Sequence, residues 1–183
     1  MTTVTVVGTG GGVGVTTLAA LAFAALRDHP QGAPWLIGAP EGDLVQRAGG
    51  DQVPRVRVEH TVRDAGVLRA DAPVAGLIAE GSALAVATPW SPIGLADARA
   101  VVDRVSAVDP TAVRRTAVVL VGRRGWRGGR NGADAWPDAV PVLHLPYDPA
   151  LHRPGPVPGP DALGRAGREG VAAWQELVAR LLG

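Results

Sequence analysis

The sequence predicts an α/β fold: a single doubly wound, mainly parallel sheet with helices on both faces. Three features predict it. Short apolar, β-branched runs alternate with segments of helical period. The runs are nearly continuous in apolar character, as strands of a parallel sheet covered on both faces are. The first run leads at once into a glycine-rich turn, Gly8-Thr9-Gly10-Gly11-Gly12-Val13-Gly14-Val15-Thr16-Thr17, which opens a helix and marks the carboxyl edge of the sheet as the place for a ligand. At 183 residues, with 46% hydrophobic and 19% charged content, the chain is long and apolar enough for one domain with a sizeable core.

Val4 to Val7 reads as the first strand and Thr16 to Arg27 as the helix behind it. The apolar stretch Leu18 to Leu26 has no basic segment before it, so it is helix and not a signal peptide. Arg27 and Asp28 end it well short of the ~20 apolar residues that span a bilayer. Pro30 to Pro34 is a turn and Trp35 to Ile37 a second strand. Arg55 to Val62 alternates apolar and basic residues ahead of Asp64-Ala65-Gly66. Ala83 to Thr88, closed by Pro89, is a clear strand. In Trp90 to Val105, Leu95, Ala98, Val101, Val102 and Val105 recur at helical spacing. Thr116 to Val121 is another buried strand and Val140 to Leu145 the last. Pro154 to Pro160 is too proline-rich for helix or central strand and reads as a stiff connector. From Leu163 to Leu182 an apolar stripe of Val171, Trp174, Leu177, Val178, Leu181 and Leu182 opposes a polar face of mixed charge. The expected organisation is a core over 1–153, a connector over 154–161 and a C-terminal amphipathic helix over 162–183 that packs on the core.

The glycine loop carries the chemistry. Such a turn points successive N–H groups at a phosphate, and the helix behind it adds roughly half a positive charge. The eighteen basic residues are all arginine, so no lysine ammonium is available to grip the phosphates. Gly11, Gly12, Val13, Gly14, Thr16 and Thr17 match Lys-Gly-Gly-x-Gly-Lys-Thr-Thr, with Gly10 and Val15 at the two lysine positions. The loop thus resembles the deviant Walker A box of the ParA/MinD family of P-loop ATPases. Gly42-Asp43-Leu44 is similar to a segment of its CpaE-like pilus-assembly and septum-site-determining branches, although Gly38 and Pro40 stand where those carry acids. Pro146-Tyr147-Asp148 matches the loop that in the family lies near adenine.

The resemblance implies a nucleotide site made of Gly10, Gly11, Gly12, Val13, Gly14, Val15, Thr16, Thr17, Asp64, Pro146 and Asp148, with ATP or ADP and Mg²⁺ as candidate cofactors. Thr16 and Asp64 would face the metal only with a bound Mg-nucleotide, Asp64 as the remnant of a Walker B aspartate. The other reading of Asp64 is a helix or turn cap. A hydrogen bond to a charged group contributes about 1.5–3 kcal/mol, so two missing ammonium contacts weaken triphosphate binding by roughly 3–6 kcal/mol where nothing replaces them. Hydrolysis loses more, because phosphoryl transfer depends on charges aimed at the transferring group.

Gly122 to Gly132 holds Arg123, Arg124, Trp126, Arg127 and Arg130. Three readings stay open: a solvated loop, a stacking and phosphate-contacting surface for nucleic acid, or a source in Arg123 and Arg124 of the charge that Gly10 and Val15 lack. The four histidines have no ligand spacing and read as surface or turn residues, so no metal site is expected. The five tryptophans read as core or loop packing, with Trp90 and Trp136 placed to line an interface. No cysteine is present, which suits a reducing compartment. A net charge of +1 gives no global drive toward nucleic acid or lipid.

The expected function is a degenerate ParA/MinD-like protein, a non-hydrolysing scaffold or positioning partner of other proteins in a cell-division, pilus-assembly or secretion machine, cytoplasmic and capable of homodimerisation or recruitment to a membrane-associated complex. The alternative is an active or weakly active ATPase with arginines in place of the lysines. A second alternative is a Rossmann-type dinucleotide-binding protein, in which Thr9-Gly10-x-x-x-Gly14 is the turn and Glu41 holds a ribose hydroxyl. A Tyr-x-x-x-Lys dehydrogenase pair cannot exist in a lysine-free chain.

Overall fold

Strand β1 (Thr2–Gly8) buries Val4, Val6 and Val7 on alternate faces, as a strand covered from both sides must. It belongs to a computed structural model that describes residues 2–27, 34–38, 43–50, 60–79, 81–122, 136–137 and 139–182. After β1 come helix α1 (Val15–Arg27), strand β2 (Trp35–Ile37), the one-turn helix α2 (Leu44–Arg47) and strand β3 (His60–Val67). Strand β4 (Ser82–Pro89), helix α3 (Pro92–Val108), strands β5 (Thr116–Val121) and β6 (Val142–Leu145) and helix α4 (Arg165–Leu182) complete the order.

The six strands form one sheet in the order β2-β3-β1-β4-β5-β6. Every neighbouring pair is parallel, as an α/β doubly wound fold requires. The chain steps outward from β1 to β2, returns through β3, and crosses to the other side of β1 for β4, β5 and β6. That reversal leaves a crevice at the carboxyl end of β1.

The two faces of β4 differ in side-chain size. Ala85 and Ala87 of β4 and Ala117 of β5 share a core layer with α1 and α4, whereas Leu84, Val86, Val118 and Leu120 share the other with α3. The small side chains leave room for the two bulkiest core residues, Phe23 and Trp174, at 2% and 0% exposure. Trp174 Nε1 donates to the Leu18 carbonyl at 3.1 Å, so its one polar atom is satisfied inside the core. Val171, Trp174, Leu177 and Val178 are all buried, which places the apolar stripe of α4 against the sheet. Helix α3 is started by Ser91, whose Oγ accepts the Gly94 N–H at 3.1 Å, and by Pro92 in the first turn. Gly94 permits close approach: a Cβ there would lie 2.2 Å from the Pro89 carbonyl oxygen.

Several sequence expectations shift. The third strand runs from His60 through Asp64 and Gly66 to Val67. Asp64 therefore lies in a strand and caps no helix, while its Oδ1 accepts the Gly66 N–H two residues on, the local cap of a turn within the strand's bulge. The residues were deceptive because Gly66, at φ 65°, sits where the β1–β3 register slips, a bulge accommodated without ending the strand. Trp35 is 55% exposed on edge strand β2 and is not core packing, since only Leu36 of that strand faces the core layer. His60 and His144 stand in strands, His144 at the surface as expected and His60 half-buried. Residues 30–33 of the predicted turn, Pro40, Glu41, Gly42, Arg55 and the Arg123, Arg124, Trp126, Arg127 and Arg130 loop lie outside the described residues. Among the described residues, no helix is long and apolar enough to cross a membrane.

Trp174→Ala opens a cavity in the layer built around it and should lower stability by about 3–5 kcal/mol. Trp174→Phe should cost only about 1 kcal/mol beyond its lost volume for the missing hydrogen bond. Urea unfolding followed by circular dichroism measures both, as a shift in midpoint at constant slope.

Candidate functional site

The glycine loop sits at the crevice left by the sheet's reversal. Gly12 and Gly14 adopt φ of 71° and 82°, the left-handed region that glycine enters without steric cost. A Cβ at either would meet nothing within 4 Å, so the backbone angle alone requires glycine there. Gly8 is the opposite case. A Cβ on it would come within 2.7 Å of Cγ2 of both Val13 and Val15, which fold back over the end of β1 and are 4% and 7% exposed. The Leu18 N–H donates to the Gly14 carbonyl at 2.9 Å as the first bond of α1. The N–H groups of Val15, Thr16 and Thr17 precede any intrahelical acceptor.

Thr16 and Asp64 meet across 48 residues of sequence, the Thr16 hydroxyl donating to Asp64 Oδ2 at 2.6 Å. Asp64 is 2% exposed, and its Oδ1 accepts the Gly66 N–H at 2.9 Å. A cavity of about 730 Å³ lies against this pair. Its walls are Gly10 and the residues from Gly12 to Thr17, Asp43 and Arg47 around α2, Asp64, Gly66, Val67 and Arg69 along the end of β3, and the segment from Leu151 to Pro154.

Arg47 ties the end of the loop to a later segment of the wall. Its guanidinium is buried and donates to Thr17 Oγ1 at 2.9 Å, the Leu151 carbonyl at 2.7 Å, the Gly155 carbonyl at 2.8 Å and the Arg153 carbonyl. The Val157 N–H returns a bond to the Arg47 carbonyl at 2.9 Å. All four acceptors are neutral oxygens, so their dipoles solvate the charge. Asp148 fixes the same strap at its ends: Oδ1 accepts the Ala150 N–H at 2.9 Å and Oδ2 the Gly164 N–H at 2.8 Å. Helix α4 presses on this carboxylate through Gly167, where a Cβ would lie 2.2 Å from Asp148 Oδ2.

No protein-family model matches the chain. No curated protein matches it. The site is therefore read from its own residues.

Of the sequence-predicted residues, Gly10, Gly12, Val13, Gly14, Val15, Thr16, Thr17 and Asp64 share the main cavity. Gly11 is exposed beside it and is not among its walls. Pro146 and Asp148 border a smaller recess of about 40 Å³ behind Val13, Gly14 and Thr17. Arg123 and Arg124 lie outside the described residues. Sequence reasoning missed Arg47, Arg69, Arg153 and His152. His152 is exposed in a turn, as expected, and there it stacks on Tyr147 at 4.7 Å and lines a side pocket of about 180 Å³ with Gly12, Val13, Pro89, Val121 and Gly122. That pocket adjoins the main cavity through Gly12, Val13 and His152. The main cavity carries three guanidinium groups, those of Arg47, Arg69 and Arg153, against the carboxylates of Asp43 and Asp64, so its charge leans positive. Away from the cavity, Trp90 meets His144 edge-on at 4.4 Å, and burial holds that imidazole below the usual histidine range. Trp136 lies under the Arg99 guanidinium at 5.9 Å.

Arg47→Met leaves carbonyls of the strap without their donor and should lower stability by about 3 kcal/mol. Limited proteolysis should then cut within residues 151–157 at protease levels that leave the parent chain intact, with mass spectrometry locating the cut.

Proposed function

We propose that this chain is a degenerate protein of the ParA/MinD type, a non-hydrolysing scaffold or positioning partner for other proteins in a cell-division, pilus-assembly or secretion machine. One observation carries the reading. Val15 stands at a position where the family places a lysine, and its side chain is turned onto Gly8 as part of the core, so an apolar group fills the place from which an ammonium would reach the phosphates. Gly10, at the other lysine position, brings no side chain at all.

The remaining residues still fit a magnesium nucleotide. The left-handed glycines at 12 and 14 keep the loop open, and the Thr16 hydroxyl and Asp64 carboxylate are hard oxygen donors already side by side, suited to Mg²⁺ directly or through water. The side pocket beside Tyr147 and His152 offers an apolar surface for a planar base. A bound nucleotide would supply a polyanion that organises the loop and the strap. The chain's own contribution is to hold it, through backbone N–H groups and the walls at residues 43–47 and 151–154. Without a cation aimed at the transferring group, holding does not become turnover. In this reading the protein acts in the cytoplasm through protein partners, with a second copy of itself among the candidates.

A second reading, an ATPase with arginine substituting for lysine, draws on Arg69 and Arg153 at the cavity wall. Phosphate release separates the two. The purified chain with Mg-ATP should release phosphate no faster than the buffer control, and turnover above that level would select the ATPase. Val15→Lys should tighten ATP binding about tenfold, the effect of one charge-assisted hydrogen bond, as read by isothermal titration.

A further inference from the structure

Two arginines on different chain segments line the main cavity, and among the described residues neither belongs to an ion pair. Arg69 follows the end of β3 and Arg153 lies in the strap, and both are exposed. The ion pairs among the described residues are Arg99 with Asp103, Arg115 with Asp109 and Arg165 with Glu169, none of them at the cavity. Their backbones are nevertheless fixed by the fold. The Leu68 N–H, one residue before Arg69, donates to the Gly8 carbonyl at 2.8 Å at the very end of β1. The Arg153 carbonyl is one of the oxygens held by the buried Arg47. Two guanidinium groups are therefore carried on anchored backbone, on separate chain segments that line the same cavity as the glycine loop.

A guanidinium presents a planar fork of N–H donors that matches phosphate oxygens and keeps its charge at any physiological pH. We propose that Arg69 and Arg153 form a two-sided clamp for the polyphosphate chain of a nucleoside di- or triphosphate, supplying the charge that Gly10 and Val15 do not. The inference rests on reading residues 10–17 as a phosphate cradle; it does not depend on whether the nucleotide is cleaved. Arg47 stands behind the clamp as a third positive charge that does not move, since all its bonds go to the protein. Because one jaw follows the end of β3 and the other is on the strap, a ligand that engages both also ties the strap down.

The full-length chain is titrated with fluorescently labelled ATP and ADP in Mg²⁺ buffer, at low and high salt. Arg69→Ala and Arg153→Ala should each weaken binding about tenfold and the double variant about a hundredfold. Arg180→Ala, on α4 and outside all three described cavities, should leave binding unchanged. Rising salt should weaken the parent more than the double variant. Pyrophosphate should compete and adenosine should not. Hydrogen exchange of residues 149–157 should slow when ATP binds the parent chain and stay unchanged in the double variant. Both arginines are exposed, so urea midpoints should coincide with the parent and rule out unfolding as the cause. Parent-like affinity in the double variant, competition by adenosine as strong as by pyrophosphate, or failure of the parent chain to bind either nucleotide overturns the clamp. The last result leaves the non-hydrolysing scaffold standing, whereas phosphate release that disappears in the double variant upholds the clamp and removes the non-hydrolysing reading.

Discussion

One buried guanidinium makes the cavity a cavity. Arg47 sits on a single turn of helix and joins Thr17 in α1 to three carbonyls more than a hundred residues later in the chain. A lysine could not do this, because its compact ammonium has no fork of coplanar donors to serve four separated oxygens. Burying a charge without a carboxylate costs several kcal/mol, and only a full set of well-placed dipoles offsets that. The requirement runs in both directions: the strap exists in its present course because Arg47 needs those oxygens, and Arg47 stays buried because the strap supplies them.

Shape and charge are furnished by different parts of the molecule. The loop's shape comes from glycine: left-handed angles at Gly12 and Gly14, and a bare Gly8 on which Val13 and Val15 close. Its positive charge comes from segments that are not the loop at all, after β3 and in the strap. In a lysine-bearing loop the two arrive together, so a change in one disturbs the other. Here the valines commit the start of α1 to the hydrophobic core, which stiffens the turn, and the cations at the cavity stand on other segments.

Much of the fold was legible because parallel strands covered on both faces must be apolar throughout, as Val4 to Val7, Ala83 to Thr88 and Thr116 to Val121 are. The loop was equally legible, since its glycines and threonines lie within ten consecutive positions. What sequence concealed was of two kinds. Asp64 and Gly66 look like a turn, and only a neighbouring strand that tolerates a bulge makes them part of β3. Arg47, Arg69 and Arg153 look like ordinary surface charge, each isolated among unlike neighbours. Their importance arises from partners or from a shared cavity brought together by topology, for which local spacing holds no signal. The Pro146-Tyr147-Asp148 triplet fell between these cases: the residues were singled out, but the bonds of Asp148 to Ala150 and Gly164 became visible only in three dimensions.

Those two bonds join parts of the molecule that would otherwise be separate. By gripping both the outset of the strap and the approach to α4, the Asp148 carboxylate makes the last helix a structural support for the chamber wall. Whatever loosens that helix from the sheet, whether a competing surface or a cut in the proline-rich stretch, also slackens the chamber. The carboxyl-terminal helix and the wall beside the glycine loop thus share one carboxylate as their common anchor.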